Sequence, residues 1–139
     1  MTNPLKPYKA STEGPTMIQV KHFMDPPENV DGIRIWVEPF NLVHELRELC
    51  KVEFCSAQMA PPMQLRRWFE VHPYEYEEFR GRYHEHLVNG PYAQHLHRFA
   101  IAATGPENVT LLHDEDDPDH NAATALAEFL SELTAWKLK

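Results

Sequence analysis

The sequence predicts an α/β protein: a single small three-layer domain, with helices packed on a mostly parallel or mixed sheet. Three observations carry this. Short apolar runs of β-prone residues stand at Ile18-Gln19-Val20-Lys21-His22-Phe23 and Val109-Thr110-Leu111-Leu112-His113. Between them lie segments with apolar residues every three or four positions, the period of a helix with one buried face. The chain then closes on a strand, an acidic loop and a helix, as parallel α/β sheets do. Its 139 residues fit one domain with one core.

The opening residues, 1–16, are rich in Pro, Lys, Ser and Thr and lack periodicity, so they are expected to form a flexible arm. The domain is expected to span 17–139, and Met17 is an alternative start. Ile18 to Phe23 alternates apolar and polar, as a half-buried strand does. Asp25-Pro26-Pro27 ends it, and Asp31-Gly32 makes a turn. In the second strand Ile33, Ile35 and Val37 face one way, Arg34 and Trp36 the other, and Pro39 closes it. Leu42, Val43, Leu46 and Leu49 fit a short helix. Lys51 to Cys55 reads as a third strand.

Pro62 suits the first turn of a helix. Leu65, Trp68 and Phe69 form its apolar stripe, with Arg66 and Arg67 pointing elsewhere. Pro73 is expected to open the next helix, with Tyr76, Phe79, Tyr83 and Leu87 on its buried face. Asn89-Gly90-Pro91 breaks it. A further helix carries Tyr92, Leu96, Phe99, Ala100 and Ala103 and stops at Gly105-Pro106. After the strand Val109–Leu112, Asp117 is the expected cap of the last helix, with Pro118 at its first position. Leu126, Phe129, Leu130 and Leu133 line that helix's inner face.

Composition narrows the function. The net charge is −8 with His neutral, which argues against general nucleic-acid binding, since phosphate recognition needs a basic footprint. No apolar run has the ~18–20 residues that span a bilayer, and no signal-peptide core opens the chain. A cytoplasmic protein is expected, with no membrane partner. Cys50 and Cys55 lack C-x-x-C spacing and are expected to be reduced thiols. His84-Glu85-His86 and His95-Leu96-His97 cannot chelate from one helix, where residues two apart point about 200° apart. No Gly-rich nucleotide loop, Walker sequence or nucleophile elbow is present.

Several blocks resemble the YeaO-like proteins, a family of unknown function numbered 488. They are Met17-Ile18-Gln19-Val20-Lys21, Asp25-Pro26-Pro27, Asp31-Gly32-Ile33-Arg34-Ile35 and Leu65-Arg66-Arg67-Trp68-Phe69. His72-Pro73, Glu77-Glu78-Phe79-Arg80, Arg82-Tyr83, Val109-Thr110-Leu111-Leu112 and His120-Asn121 continue the series in order. The resemblance implies a three-layer α/β domain of bacterial or archaeal origin and brings no established activity. This chain departs from the pattern twice. Glu38-Pro39-Phe40-Asn41-Leu42 stands where the family usually has D-R-L-W-P-R-G. Asp114-Glu115-Asp116 stands where it usually has a small residue and then Lys or Arg. If those cations hold an anion in the family, this divergent member has lost the means.

Two sets of candidate site residues follow. The loop His113 to His120 offers carboxylates and imidazoles together, which hard and transition cations accept. His113, Asp114, Asp116 and His120 are its candidate ligands for a divalent metal ion. The competing reading is that the acidic residues complement a helix dipole and cap it. In the second set, Arg66, Arg67 and Asn121 are candidates for binding a ligand, with the arginines forked on a carboxylate or phosphate. Arg66, Arg67, Arg80 and Arg82 are also placed to neutralise Glu70, Glu75, Glu77 and Glu78. The chain reads as a protein that binds a small molecule or another protein. The alternative is a metal-dependent enzyme using the His113–His120 loop.

Overall fold

The computed structural model describes residues 18–103 and 105–137. The expected arm, residues 1–16, lies outside them. Among the described residues one sheet is built from β1 (Ile18–His22), β2 (Ile33–Trp36), β3 (Phe54–Cys55) and β4 (Val109–His113). Its order is β1-β4-β2-β3, and every neighbouring pair is parallel. The last strand therefore fills the centre. Val109 is in register with Ile18 on one side and with Ile33 on the other. All of β4 is buried, Thr110 and His113 included, so its adjacent Leu111 and Leu112 break the alternation of a half-buried strand. At the far edge β3 is short and exposed, leaving little free backbone for another chain to pair with.

Among the described residues five α-helices flank the sheet: α1 (His44–Leu49), α2 (Met63–Val71), α3 (Tyr76–Asn89), α4 (Ala93–Ala103) and α5 (Ala122–Lys137). The larger core lies on one face. There Ile35, Val37, Val109 and Leu111 meet Phe69 of α2, Phe79 and Tyr83 of α3, and Leu126 and Leu130 of α5. The opposite face is thinner: Phe23, Trp36 and Leu112 are covered by Cys50, Val52, Phe40, Leu42 and Leu46 around α1. The alternation read from β2 is observed, with Ile33, Ile35 and Val37 on one side and Trp36 on the other. The three-layer α/β architecture is thus established. No helix among the described residues is long and apolar enough to cross a membrane.

Beneath α1, Arg34 staples the thin layer. Its guanidinium donates to Asp31 at 2.7 Å and to the Cys50 and Phe23 carbonyls. Gly32 takes a φ of +64°, and a Cβ there would sit 2.0 Å from the Asn108 carbonyl oxygen. Only glycine permits that approach, and it lets β2 start directly beside the entry to β4.

Several expected boundaries move. The third strand shrinks to Phe54–Cys55, because Lys51, at φ 55°, terminates α1 and the Val52 amide bonds the Arg47 carbonyl. Of the apolar set on α1, Val43 and Leu49 are exposed, while Leu42 and Leu46 pack. Pro73 lies in a turn and α3 opens at Tyr76, whose buried set is the expected one. Tyr92 precedes α4 and is exposed. The α5 cap is Asn121 rather than Asp117: its side-chain oxygen accepts the Thr124 amide at 2.8 Å. Asp117 instead closes its own turn by accepting the Asp119 amide at 2.9 Å. Both cysteines are free, Cys50 buried and Cys55 exposed.

Candidate functional site

Parallel α/β sheets place ligands beyond the carboxyl ends of their strands. At that edge β1 delivers His22, β2 continues through Val37 to Glu38, and β4 delivers His113 and then the acidic loop, residues 114–121. Between this loop and α2 lies a crevice of about 270 Å³. Arg66, Phe69 and Glu70 form its α2 wall, and Pro73 its end. The loop contributes Asp114, Glu115, Asp116, Asp117 and His120.

The floor is a buried ionic unit. Glu38 is fully buried because β2 carries it straight into the interior, so its carboxylate must find donors within the protein. It finds two: Arg66 Nε at 2.8 Å and the Asp114 amide at 3.0 Å. Arg66 points away from the apolar stripe of α2, as its spacing predicts, yet it is only 3% exposed. Its guanidinium also lies 3.4 Å from Glu115, 3.8 Å from Glu70 and over the Phe40 ring. Burial works against the charge on Arg66, but Glu38 and Glu115 outweigh it and raise its pKa.

Glu115 is the odd member. Its carboxyl accepts the first amide of α5, Ala122, at 2.9 Å. Arg66 has a single Nε–H, and Glu38 takes it. Burial first, and the facing Glu38 carboxylate second, push Glu115 up to about 8. Next to it, His113 is buried and its Nδ1 accepts the Glu115 amide at 3.1 Å, which puts the ring proton on Nε2. Burial, the neighbouring His22 ring and then Arg66 bring His113 down to about 4.

These opposite shifts predict a shape for stability against pH. The folded pKa of His113 lies below its unfolded 6.5, so its stabilising contribution is present above pH 6.5 and is lost as pH falls toward 4. At ~1.4 kcal/mol per pKa unit the full loss is about 3 kcal/mol. The folded pKa of Glu115 lies above its unfolded 4.5, so its contribution is present below 4.5 and is lost as pH rises through about 8. Between pH 4.5 and 6.5 the two slopes oppose each other. From 6.5 to 8 only the Glu115 decline remains. Urea midpoints at pH 5, 6.5 and 8 are expected to be similar at the first two and lower at the third. Glu115→Gln is expected to remove that drop.

The remaining expected site residues disperse. Asp114, Asp116 and His120 line the crevice with Arg66. His113 lies behind them, committed to the loop backbone. His120 Nδ1 pairs with Asp117 at 3.0 Å, and the Asp119 amide and His120 together lower Asp117. Among the described residues no three His, Cys, Asp or Glu side chains are arranged to hold a metal ion. Arg67 is exposed and does not line the crevice. Asn121 is buried, and its amide is occupied at both ends by Thr124 and the Asp117 carbonyl. Arg80 and Arg82 neutralise Glu77 and Glu78, as expected from their proximity.

Glu38 was missed. Its one signal was a carboxylate directly after a buried strand, at the edge where ligands gather. The two departures from the family pattern, at Glu38 and at Asp114-Glu115-Asp116, turn out to touch. Over residues 17–137 the chain matches the model of DUF488-N3i, described as the inactive DUF488-N3 subclade. The chain belongs to this family. No curated protein and no solved structure matches it. In this DUF488-N3i protein the two departing segments meet through Arg66 of α2, which lies against both Glu38 and Glu115.

Proposed function

We propose that this DUF488-N3i protein is a cytoplasmic binding protein whose carboxyl-edge crevice receives a lysine or arginine side chain from a partner protein. One observation carries the reading. Five carboxyl groups line the crevice against one guanidinium, and that guanidinium is already held by Glu38. Such a lining repels phosphates and carboxylates and attracts an ammonium or guanidinium, giving specificity through charge complementarity. The rim supports a protein partner rather than a free amine: Val71 and Tyr74 stand exposed beside Pro73, Tyr74 almost completely. An exposed aromatic next to a charged pocket is a common anchor in protein recognition. The family description as inactive supports binding without catalysis.

Calorimetric titration with a short Lys/Arg peptide tests this, with a Glu/Asp peptide of equal length as control. Binding of the basic peptide alone is expected, weakening as salt rises. Glu70→Gln with Asp116→Asn is expected to weaken it about tenfold, since each lost charge pair contributes on the order of 0.5–1 kcal/mol. No binding below about 1 mM, or equal binding of both peptides, would overturn the reading.

A second reading rests on Asp114, Asp116 and His120 sharing one wall: a divalent cation there, and with it a metal-dependent enzyme. The prior commitments of His113 and His120 make the fit poor. Zinc, manganese or nickel at a hundredfold excess over its dissociation constant would raise stability by about 2.7 kcal/mol. Asp114→Asn with His120→Ala would abolish the rise.

A further inference from the structure

Glu38 and Glu115 approach one guanidinium from two different segments. Glu38 lies two residues beyond the end of β2, and Glu115 belongs to the acidic loop. Their donors differ. Glu38 accepts the Arg66 Nε–H at 2.8 Å and the Asp114 amide at 3.0 Å. Glu115 accepts the Ala122 amide at 2.9 Å and stands 3.4 Å from Arg66 Nε, whose hydrogen is already engaged. Two carboxyl groups, one fully buried and one nearly so, thus crowd a single N–H. Ionised together they would repel each other in a medium of low dielectric, and a proton on one of them relieves this. Glu38 has the stronger donors for an anion, so the proton belongs on Glu115.

We propose that Glu38, Arg66 and Glu115 form a proton-held latch: a proton on Glu115 keeps the acidic loop, residues 114–121, closed on the carboxyl edge of the sheet, and its loss to solvent releases the loop. Besides the Glu115 amide on His113 and the His120 ring against Tyr76, two tethers of the loop pass through this unit. Its first amide, Asp114, is held by Glu38, and its far end, at Ala122, is held by Glu115. Between them Asp114, Asp116, Asp117, Asp119 and His120 are exposed. Removing the proton leaves two anions that share one cation and repel each other. Glu38 is fixed by its strand and Arg66 by its helix, so the loop is the part that yields.

The groups facing Glu115 do not relieve the repulsion. From α2, Glu70 adds negative charge and draws on Arg66. From α3, the Tyr83 hydroxyl is close enough for both carboxylates to raise its pKa, yet it donates to the Met59 carbonyl. From β4, His113 is neutral and already accepts the Glu115 amide. Within the loop, Asp114, Asp116 and Asp117 add negative charge, and His120 is turned to Asp117. The Arg66 charge and the Ala122 amide at the α5 N-terminus favour the ionised form, but burial beside Glu38 outweighs them.

The test is carbon-detected NMR on the full chain, following the glutamate side-chain carboxyl carbons and the backbone carbonyls of residues 114–121 from pH 5 to 9.5. The expected result is a Glu115 midpoint above 7, with loop carbonyl shifts moving at the same midpoint. Glu115→Gln should hold the loop shifts constant across that range. Glu38→Gln removes the facing charge and should lower the Glu115 midpoint by more than one pH unit. A Glu115 midpoint below 6, loop shifts that stay still through its titration, or unchanged loop movement in Glu115→Gln would overturn the latch. The wild-type titration decides even if a variant fails to fold. No ligand enters the measurement, so failure of the peptide titration and failure of the latch are separate results.

Discussion

Arg66→Met is expected to destabilise the protein by about 3–5 kcal/mol at pH 7, the range for removing one partner of a buried ion pair. The cause is what stays behind. Glu38, fully buried, would keep only the Asp114 amide as donor, with Glu115 still facing it. Desolvation then forces both carboxyls toward the neutral form. The loss should therefore shrink as pH falls, because protonating Glu38 removes the uncompensated charge. Urea unfolding at pH 7 and pH 5 checks this. The double variant Arg66→Met with Glu38→Leu should recover much of the loss, since replacing a whole buried pair with apolar residues is often neutral. A single-variant loss under 1 kcal/mol at pH 7 would mean that water reaches the Glu38 carboxylate.

Phe79→Ala is expected to cost about 3–5 kcal/mol, as deletion of a fully buried aromatic does. Phe79 has no exposed surface and stacks on Phe69, ring centres 4.4 Å apart. Tyr83 lies 5.8 Å away on the same helix and Tyr76 6.3 Å away. This aromatic row fastens α3 to α2, and α2 carries Arg66. The variant should therefore also loosen the floor of the crevice. Measured at pH 8, where Glu115 contributes least, the loss should be accompanied by faster amide exchange at Asp114. A urea midpoint within ~0.5 kcal/mol of wild type would show that the α2–α3 seam closes over the cavity.

The aromatic row could be read in advance because it depends on spacing alone: residues 76, 79, 83 and 87 recur at helical intervals. The same logic does not reveal that Arg66 is buried. Helical spacing puts it off the stripe formed by Leu65, Trp68 and Phe69, and a charged residue off the stripe is expected in solvent. Its partner Glu38 is 28 residues away and reaches it only because β2 lies inside the sheet. Nothing local signals such a pairing. The cap of α5 shows a different limit. The acidic run offers several side chains able to accept a helix amide, and local preference ranks Asp117 with Asn121. The choice falls to Asn121 because Asp117 is used to turn the loop. For the third strand, composition favoured five residues, and a single left-handed residue, Lys51, cut it to two.

The central position of β4 bears on how the molecule assembles in time. Neither β1 nor β2 pairs with the other; each has β4 as its inner neighbour. The contact that closes the sheet, such as Gln19 to Thr110, joins residues 91 positions apart. Such pairings give a high contact order, and the loop-closure entropy must be met before they stabilise anything. The α2–α3 aromatic row, in contrast, is local and can form early. The rate-limiting barrier is therefore expected to be the insertion of β4 between two waiting strands, so that a change in Leu111 slows refolding while a change in Arg82, on the surface, mainly leaves it alone. Until that insertion, β1 and β2 present unpaired edges, and the unfinished sheet is the species most prone to pair with another copy of the chain.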